Sequence, residues 1–133
     1  MKYYTSLVNT FHHVFKIKTP KQVPCLTDKK DYILRYDLGK EELDEYLEAC
    51  KENDLVEIAD SLGDQLYILC GTILKHGMDD IIQPVFEEIH RSNMSKLDEQ
   101  GLPIFREDGK VLKGKDYFKP DIKKMLDGNL QEK

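Results

Sequence analysis

The sequence predicts an all-α protein, a four-helix bundle followed by a C-terminal arm with a small hairpin and a short terminal helix. Three observations predict it. Apolar residues recur at spacings of three and four in four successive stretches, the period of an amphipathic helix. Capping residues such as Thr, Asp and Asn stand where three of those stretches begin, and Pro or Gly follows the first and the third. The connection at Lys51–Asp54 is so short that the stretches on either side must be antiparallel neighbours.

The first helix is expected from Tyr3, Leu7, Phe11 and Val14/Phe15, and it ends near Lys18, before Pro20 and Pro24. His12 and His13 lie in its aromatic part and read as packed side chains rather than metal ligands. Thr27 or Asp28 caps a second helix running to about Glu52. Its apolar positions include Leu43, Tyr46, Leu47 and Cys50, and Gly39 interrupts it at modest cost. A third helix runs from Leu55 to about His76 and stops at Gly77. Leu55, Ile58, Leu62, Leu66 and Leu69 form one apolar stripe on it. The fourth begins near Asp79 or Asp80, where Pro84 is tolerable only close to the first turn, and reaches about Leu97. Ile104–Glu107, Asp108-Gly109 and Lys110–Leu112 read as a hairpin. Pro120 opens a last helix that stops near Gly128. Residues 1–133 read as one domain, with 98–133 as its basic arm.

Composition narrows the class. The net charge is −5, but Asp31–Asp60 alone holds 11 acids against 3 bases. That concentration argues against a nucleic-acid surface and suits a metal that attracts phosphates. No apolar run approaches the ~20 residues of a membrane span, and MKYYTSLVNTFHHVF lacks the apolar core of a signal peptide. Cys25, Cys50 and Cys70 fit no metal spacing and read as reduced thiols of a cytoplasmic protein.

Two groups of acids stand out within EELDEYLEACKENDLVEIADSLGD. Glu41, Glu42 and Glu45 share an arc of roughly 100° on the second helix. Glu57, Asp60 and Asp64 share about 60° on the third. The second group does not sit at the centre of the wet face, since Ile68 and Gly71 continue its stripe. No Lys or Arg occurs from Glu52 to Leu74. Carboxylates so placed repel one another and must protonate, pair or bind a cation. Oxygen ligands select a hard ion, Mg²⁺ or alternatively Mn²⁺. The competing account is an ordinary charged surface. Arg35, seven residues before Glu42, either pairs with a carboxylate or meets a ligand phosphate. Arg91, Asn93 and Lys96 end the fourth helix, where they either bind phosphate and nucleoside or simply complement the helix dipole.

EELDE at 41–45 followed by EIAD at 57–60 resembles the EExxE…ExxD signature of the all-α nucleoside triphosphate pyrophosphohydrolases. DLVEIADSLGDQLYILCGTILKHG, HRSNMSKL and REDGKVLKG followed by PDI are similar to the MazG-like, phosphoribosyl-ATP pyrophosphohydrolase-like branch, over roughly residues 8 to 126. The resemblance implies Glu42, Glu45, Glu57 and Asp60 as Mg²⁺ ligands, with Asp64 a further one. It implies Glu41 as the group that holds or activates the attacking water. It also implies phosphate or nucleoside contacts from Arg91, Asn93, Lys96, Lys110 and Lys113. A homodimer or homotetramer and a nucleoside triphosphate substrate, cleaved to monophosphate and pyrophosphate, are expected on the same ground. Phosphoribosyl-ATP hydrolysis is the alternative within enzymes. A helical module that binds metal or a partner protein without catalysis is the alternative outside them. A di-iron bundle would want paired Glu-x-x-His motifs, and only Glu87…His90 supplies one.

Overall fold

Asp28 and Asp54 fix where the two longest helices begin. The Asp28 carboxylate accepts from the Asp31 amide at 2.8 Å and that of Asp54 from the Glu57 amide at 3.1 Å, each satisfying an amide with no partner in the helix. In the computed structural model, which describes residues 1–20 and 23–131, five helices follow in order. They are α1 (Lys2–Val14), α2 (Lys29–Lys51), α3 (Leu55–Lys75), α4 (Ile82–Met94) and α5 (Ile122–Gln131). No strand occurs among the described residues, and the all-α class holds. The chain divides into two compact units, Met1–Asp80 and Ile81–Lys133.

In the first unit α3 is the central element, packed along α2 and against α1. The α2–α3 turn holds Asn53 in a left-handed conformation (φ 55°), which folds the chain back within a few residues. The core is small and centres on Val8, Cys70 and Leu74.

Two expectations about packing are corrected here. On α1 the buried face is Thr5, Val8 and His12, whereas Tyr3, Leu7 and Val14 remain exposed. The helix ends at Val14 rather than near Lys18, where Lys16 turns left-handed (φ 58°), and it is rotated relative to its larger aromatic stripe. The reason is close approach: a Cβ on Gly71 of α3 would lie 3.1 Å from His12 Nε2, so the small residues set the contact. On α2 and α3, Leu43, Leu47, Leu62 and Leu69 are about half exposed, and Leu55 and Val56 are 78% and 76% exposed. Their periodicity marked them as apolar correctly, but this chain alone does not cover them.

Loop 23–25 is fastened to the end of α3. The amide of Cys25 donates to His76 O and the His76 ring nitrogen Nδ1 meets Cys25 O, each at 2.9 Å. Gly77 stops α3 with φ +63°, and a Cβ there would overlap the Val23 carbonyl. Gly77→Ala is therefore expected to cost about 1–3 kcal/mol, read as a lower urea midpoint at unchanged m value.

The second unit is organised by α4. Its start lies later than Asp80, at Ile82, with Pro84 in the first turn where a missing N–H does no harm. It ends at Met94 rather than Leu97. Glu88, only 6% exposed, takes Arg91 Nε at 2.7 Å and the Asp121 amide at 3.0 Å. Ser92 donates to Phe118 O at 2.7 Å, and Phe118 N donates to Ser95 Oγ at 3.1 Å. These bonds fold the arm along α4. The hairpin reduces to one antiparallel bridge, Phe105 with Val111, around the Asp108-Gly109 turn. The terminal helix continues through Gly128 to Gln131. A single glycine costs about 1 kcal/mol in a helix and does not by itself end one.

Candidate metal centre

The α2–α3 turn decides which acids meet. In an antiparallel pair, residues equally far from the turn stand side by side, and Glu42 and Asp64 are each eleven residues from Asn53. Glu45 lies one turn from Glu42 towards the connection. Oxygen atoms of Glu42, Glu45 and Asp64 all fall within 4.8 Å of one another. Glu42 and Asp64 are half-buried and Glu45 is exposed. Among the described residues this is the one such group of three, and it contains no histidine or cysteine.

The electrostatics are those of an under-compensated cluster. Burial pushes the Glu42 carboxyl up to about 7, assisted by the neighbouring Glu45 carboxyl through hydrogen bonding and charge, then by Asp64 and Glu41. Burial also raises Asp64, with the charges of Asp60 and Glu45 adding to it. Glu42 Oε2 is buried without a hydrogen-bond partner. A buried carboxylate oxygen left unpaired is costly, and three converging carboxylates supply the donor set of a hard divalent cation. The residues present therefore fit Mg²⁺ or Mn²⁺.

The other candidate residues are not part of this group. Glu57 and Asp60 are exposed on α3, two turns and one turn before Asp64, and lie outside the tight cluster. Glu41, Glu45 and Glu57 line an open groove of about 370 Å³ beside it. Arg35 turns away from the acids: Nε donates to Thr72 Oγ1 at 3.0 Å and Nη2 to Ile68 O at 2.6 Å. In the second unit Arg91 pairs with Glu88 and lies 4.3 Å from the centroid of the Phe118 ring. Asn93 and Lys110 are exposed, Lys96 is half-buried, and Lys113 sits 4.8 Å from the Tyr117 ring centre.

One feature escaped the sequence. Arg35 and the buried His12 border a cavity of about 340 Å³ within the first unit, enclosed by α1, α2 and α3. Its one sequence signal is Gly71, a residue out of place on an acidic stripe and required by Arg35, whose Nη2 would lie 2.5 Å from a Cβ there.

Fold and cluster together define an all-helical protein with a carboxylate centre on two antiparallel helices. A family model described as phosphoribosyl-ATP pyrophosphohydrolase matches residues 8–93, and the chain belongs to that family. Uncharacterized protein L479 of Acanthamoeba polyphaga mimivirus is 33% identical over 97 residues. That match takes in 71% of this chain but 35% of the viral protein, so the chain spans about a third of that relative's length. A solved structure from Exiguobacterium sp. 255-15, provisionally named an NTP pyrophosphohydrolase, is similar in fold with a TM-score of 0.50. It is 24% identical, with 97% of this chain and 94% of that one covered.

Proposed function

We propose that this chain is a Mg²⁺-dependent nucleoside triphosphate pyrophosphohydrolase, with Mn²⁺ as the alternative ion. The observation that carries the reading is the convergence of Glu42, Glu45 and Asp64 within 4.8 Å, with one buried oxygen of Glu42 unpaired. Glu42, Glu45 and Asp64 would hold the ion, with Glu57 and Asp60 completing the acidic surface. When bound, the ion neutralises phosphoryl oxygens and makes a water more acidic. Glu41, exposed on the groove beside the cluster, would orient that water and take its proton. Water adds at phosphorus, the bridging bond between the α and β phosphates breaks, and monophosphate and pyrophosphate leave. Lys96, Lys110 and Lys113, with Arg91 and Asn93, are the second unit's candidates for contacts to phosphates or nucleoside.

The test is pyrophosphate release from a panel of canonical and modified nucleotides with Mg²⁺, Mn²⁺ or EDTA. Cation-dependent release supports the reading. No release from any nucleotide, with the protein folded and the cation bound, overturns it. The family description favours one second substrate, phosphoribosyl-ATP, which belongs in the same panel. A non-catalytic module would show cation-dependent melting without turnover.

The exposed Leu43, Leu47, Leu62 and Leu69 support assembly into a homodimer or homotetramer. Sedimentation of the wild type beside Leu62→Glu checks this: the wild type is expected as an oligomer and the variant as a smaller species. No helix among the described residues is long and apolar enough to cross a membrane. The acidic middle of the chain favours a nucleotide held through a cation over nucleic acid, and a cytoplasmic setting accords with the free thiols.

A further inference from the structure

We propose that Arg35 sets the register of α2 against α3, and through it the approach of Glu42 to Asp64. It is a positioning residue for the cation site rather than a contact to substrate. This rests on the cation reading above and names the contact that holds that site in shape. Arg35 Nε donates to Thr72 Oγ1 at 3.0 Å and Nη2 to Ile68 O at 2.6 Å. Thr72 Oγ1 itself donates to Ile68 O at 3.1 Å, so both acceptors are tied to each other on one turn of α3.

Position gives these bonds their consequence. Arg35 stands seven residues before Glu42 on α2, and Ile68 and Thr72 stand four and eight after Asp64 on α3. The acids therefore lie between two fastenings, the turn at Asn53 and the Arg35 bonds, the latter about 10 Å beyond Glu42 along the helix. The stretch between them has little else to hold it. Its carboxylates repel one another. Leu43 and Leu62 are about half exposed, and a Cβ on Gly39 or Gly63 would meet nothing within 4 Å. The ion pair of Asp31 and Lys75, at 3.4 Å, lies a turn further from the acids, and an ammonium is a point charge that imposes little direction.

The residue types suit alignment better than charge pairing. A guanidinium taken out of water is normally compensated by a carboxylate. The described hydrogen bonds of Arg35 go to two neutral oxygens instead. Gly71 leaves the room it needs, since a Cβ there would lie 2.5 Å from Nη2. A planar fork held at two points of another helix resists both sliding and rotation, which a single ionic contact does not.

Charge and geometry give opposite signs on removal of Arg35. It is a positive charge about 10 Å from the acids, so by charge alone its loss would tighten cation binding. Loss of a group that holds a ligand in place weakens binding instead, by about 10–100-fold. Arg35→Met, Arg35→Lys, Thr72→Val and the double variant Arg35→Met with Thr72→Val are titrated with Mn²⁺, folded and without nucleotide, and free Mn²⁺ is read by electron paramagnetic resonance. Arg35→Met is expected to weaken Mn²⁺ binding at least about tenfold. Arg35→Lys should not restore it, because the charge returns without the fork. Thr72→Val should weaken it less, and the double variant should be no weaker than Arg35→Met, since both remove one contact. With saturating Mg²⁺, kcat should fall while KM for the nucleotide changes little. Unchanged or tighter Mn²⁺ binding in folded Arg35→Met overturns the proposal and leaves the hydrolase reading standing. A raised KM with unchanged Mn²⁺ binding also overturns it and assigns Arg35 to the substrate. If Arg35→Met does not fold, unchanged Mn²⁺ binding in Thr72→Val overturns it. Weakened, coupled Mn²⁺ binding in a protein that hydrolyses no nucleotide supports the positioning role and removes the hydrolase.

Discussion

Glu42→Gln is expected to lower metal-dependent pyrophosphate release at least about 100-fold while the protein stays folded. Disturbing groups that merely support a metal ligand costs about 10–100-fold, and Glu42 would be a ligand itself. Glutamine keeps the shape of the side chain but removes the negative charge and replaces one oxygen with a donor. That donor would point into a cluster built around a cation. A second signature separates this from general damage. Without metal, Glu42→Gln removes one of three converging charges, so melting in EDTA should move upward. The upward shift that Mg²⁺ gives the wild type should shrink in the variant. Asp60→Asn, outside the tight group, should lose turnover with a smaller gain in EDTA, since its charge bears on the cluster chiefly through the raised Asp64. Near-normal turnover in both variants would sink the metal assignment.

The contrast between Glu42 and His12 shows which kinds of information the sequence carried. Glu42, Glu45 and Asp64 were readable because helix geometry and one short turn are enough to place them, whereas Glu57 and Asp60, also read as ligands, lie outside the cluster. Asp54 as cap, Asn53 as the bend and eleven residues on each side bring Glu42 beside Asp64. The caps at Asp28 and Asp54 and the stop at Gly77 were readable because each supplies a specific local need of the backbone. What failed depends on neighbours that no local pattern names. The face α1 buries was decided by how close Gly71 lets another helix come, not by which stripe of α1 is more apolar. Leu55 and Val56 look like core by periodicity, yet burial needs a covering surface that one copy of the chain does not provide. The arm read as a hairpin from its Asp-Gly turn, but only one bridge joins its limbs, and bonds to Glu88, Ser92 and Ser95 hold its later part to α4 and the residue after it. The cavity by His12 and Arg35 is assembled from three helices, so no window of sequence contains it.

In EDTA, wild-type stability is expected to contain a component that falls as pH rises from about 4.5 to about 7, and this component should be absent from Glu42→Gln. The folded Glu42 carboxyl titrates at about 7 against 4.5 when unexposed to the fold's neighbours. Between those values the folded state keeps the proton and the unfolded chain does not, so raising pH favours unfolding. The contribution is fully present below the lower value and lost above the upper one. Asp64, also raised, adds in the same direction. His12 opposes them. Its folded pKa lies below 6.5, so the unfolded chain binds the extra proton and stability rises with pH up to that value. Glu88 and Asp108, both lowered, weaken the fold only in more acidic solution. The raw melting curve therefore mixes opposing trends, and the useful measurement is the difference between wild type and Glu42→Gln at each pH. That difference should grow in the variant's favour from pH 5 to pH 8 in EDTA. With saturating Mg²⁺ it should reverse, because the ion competes with the proton for the same oxygens and gains more as the proton leaves. A difference that is flat across this range in EDTA would mean that Glu42 is solvated and ionised throughout, and the case for a cation at the cluster would lose its electrostatic basis.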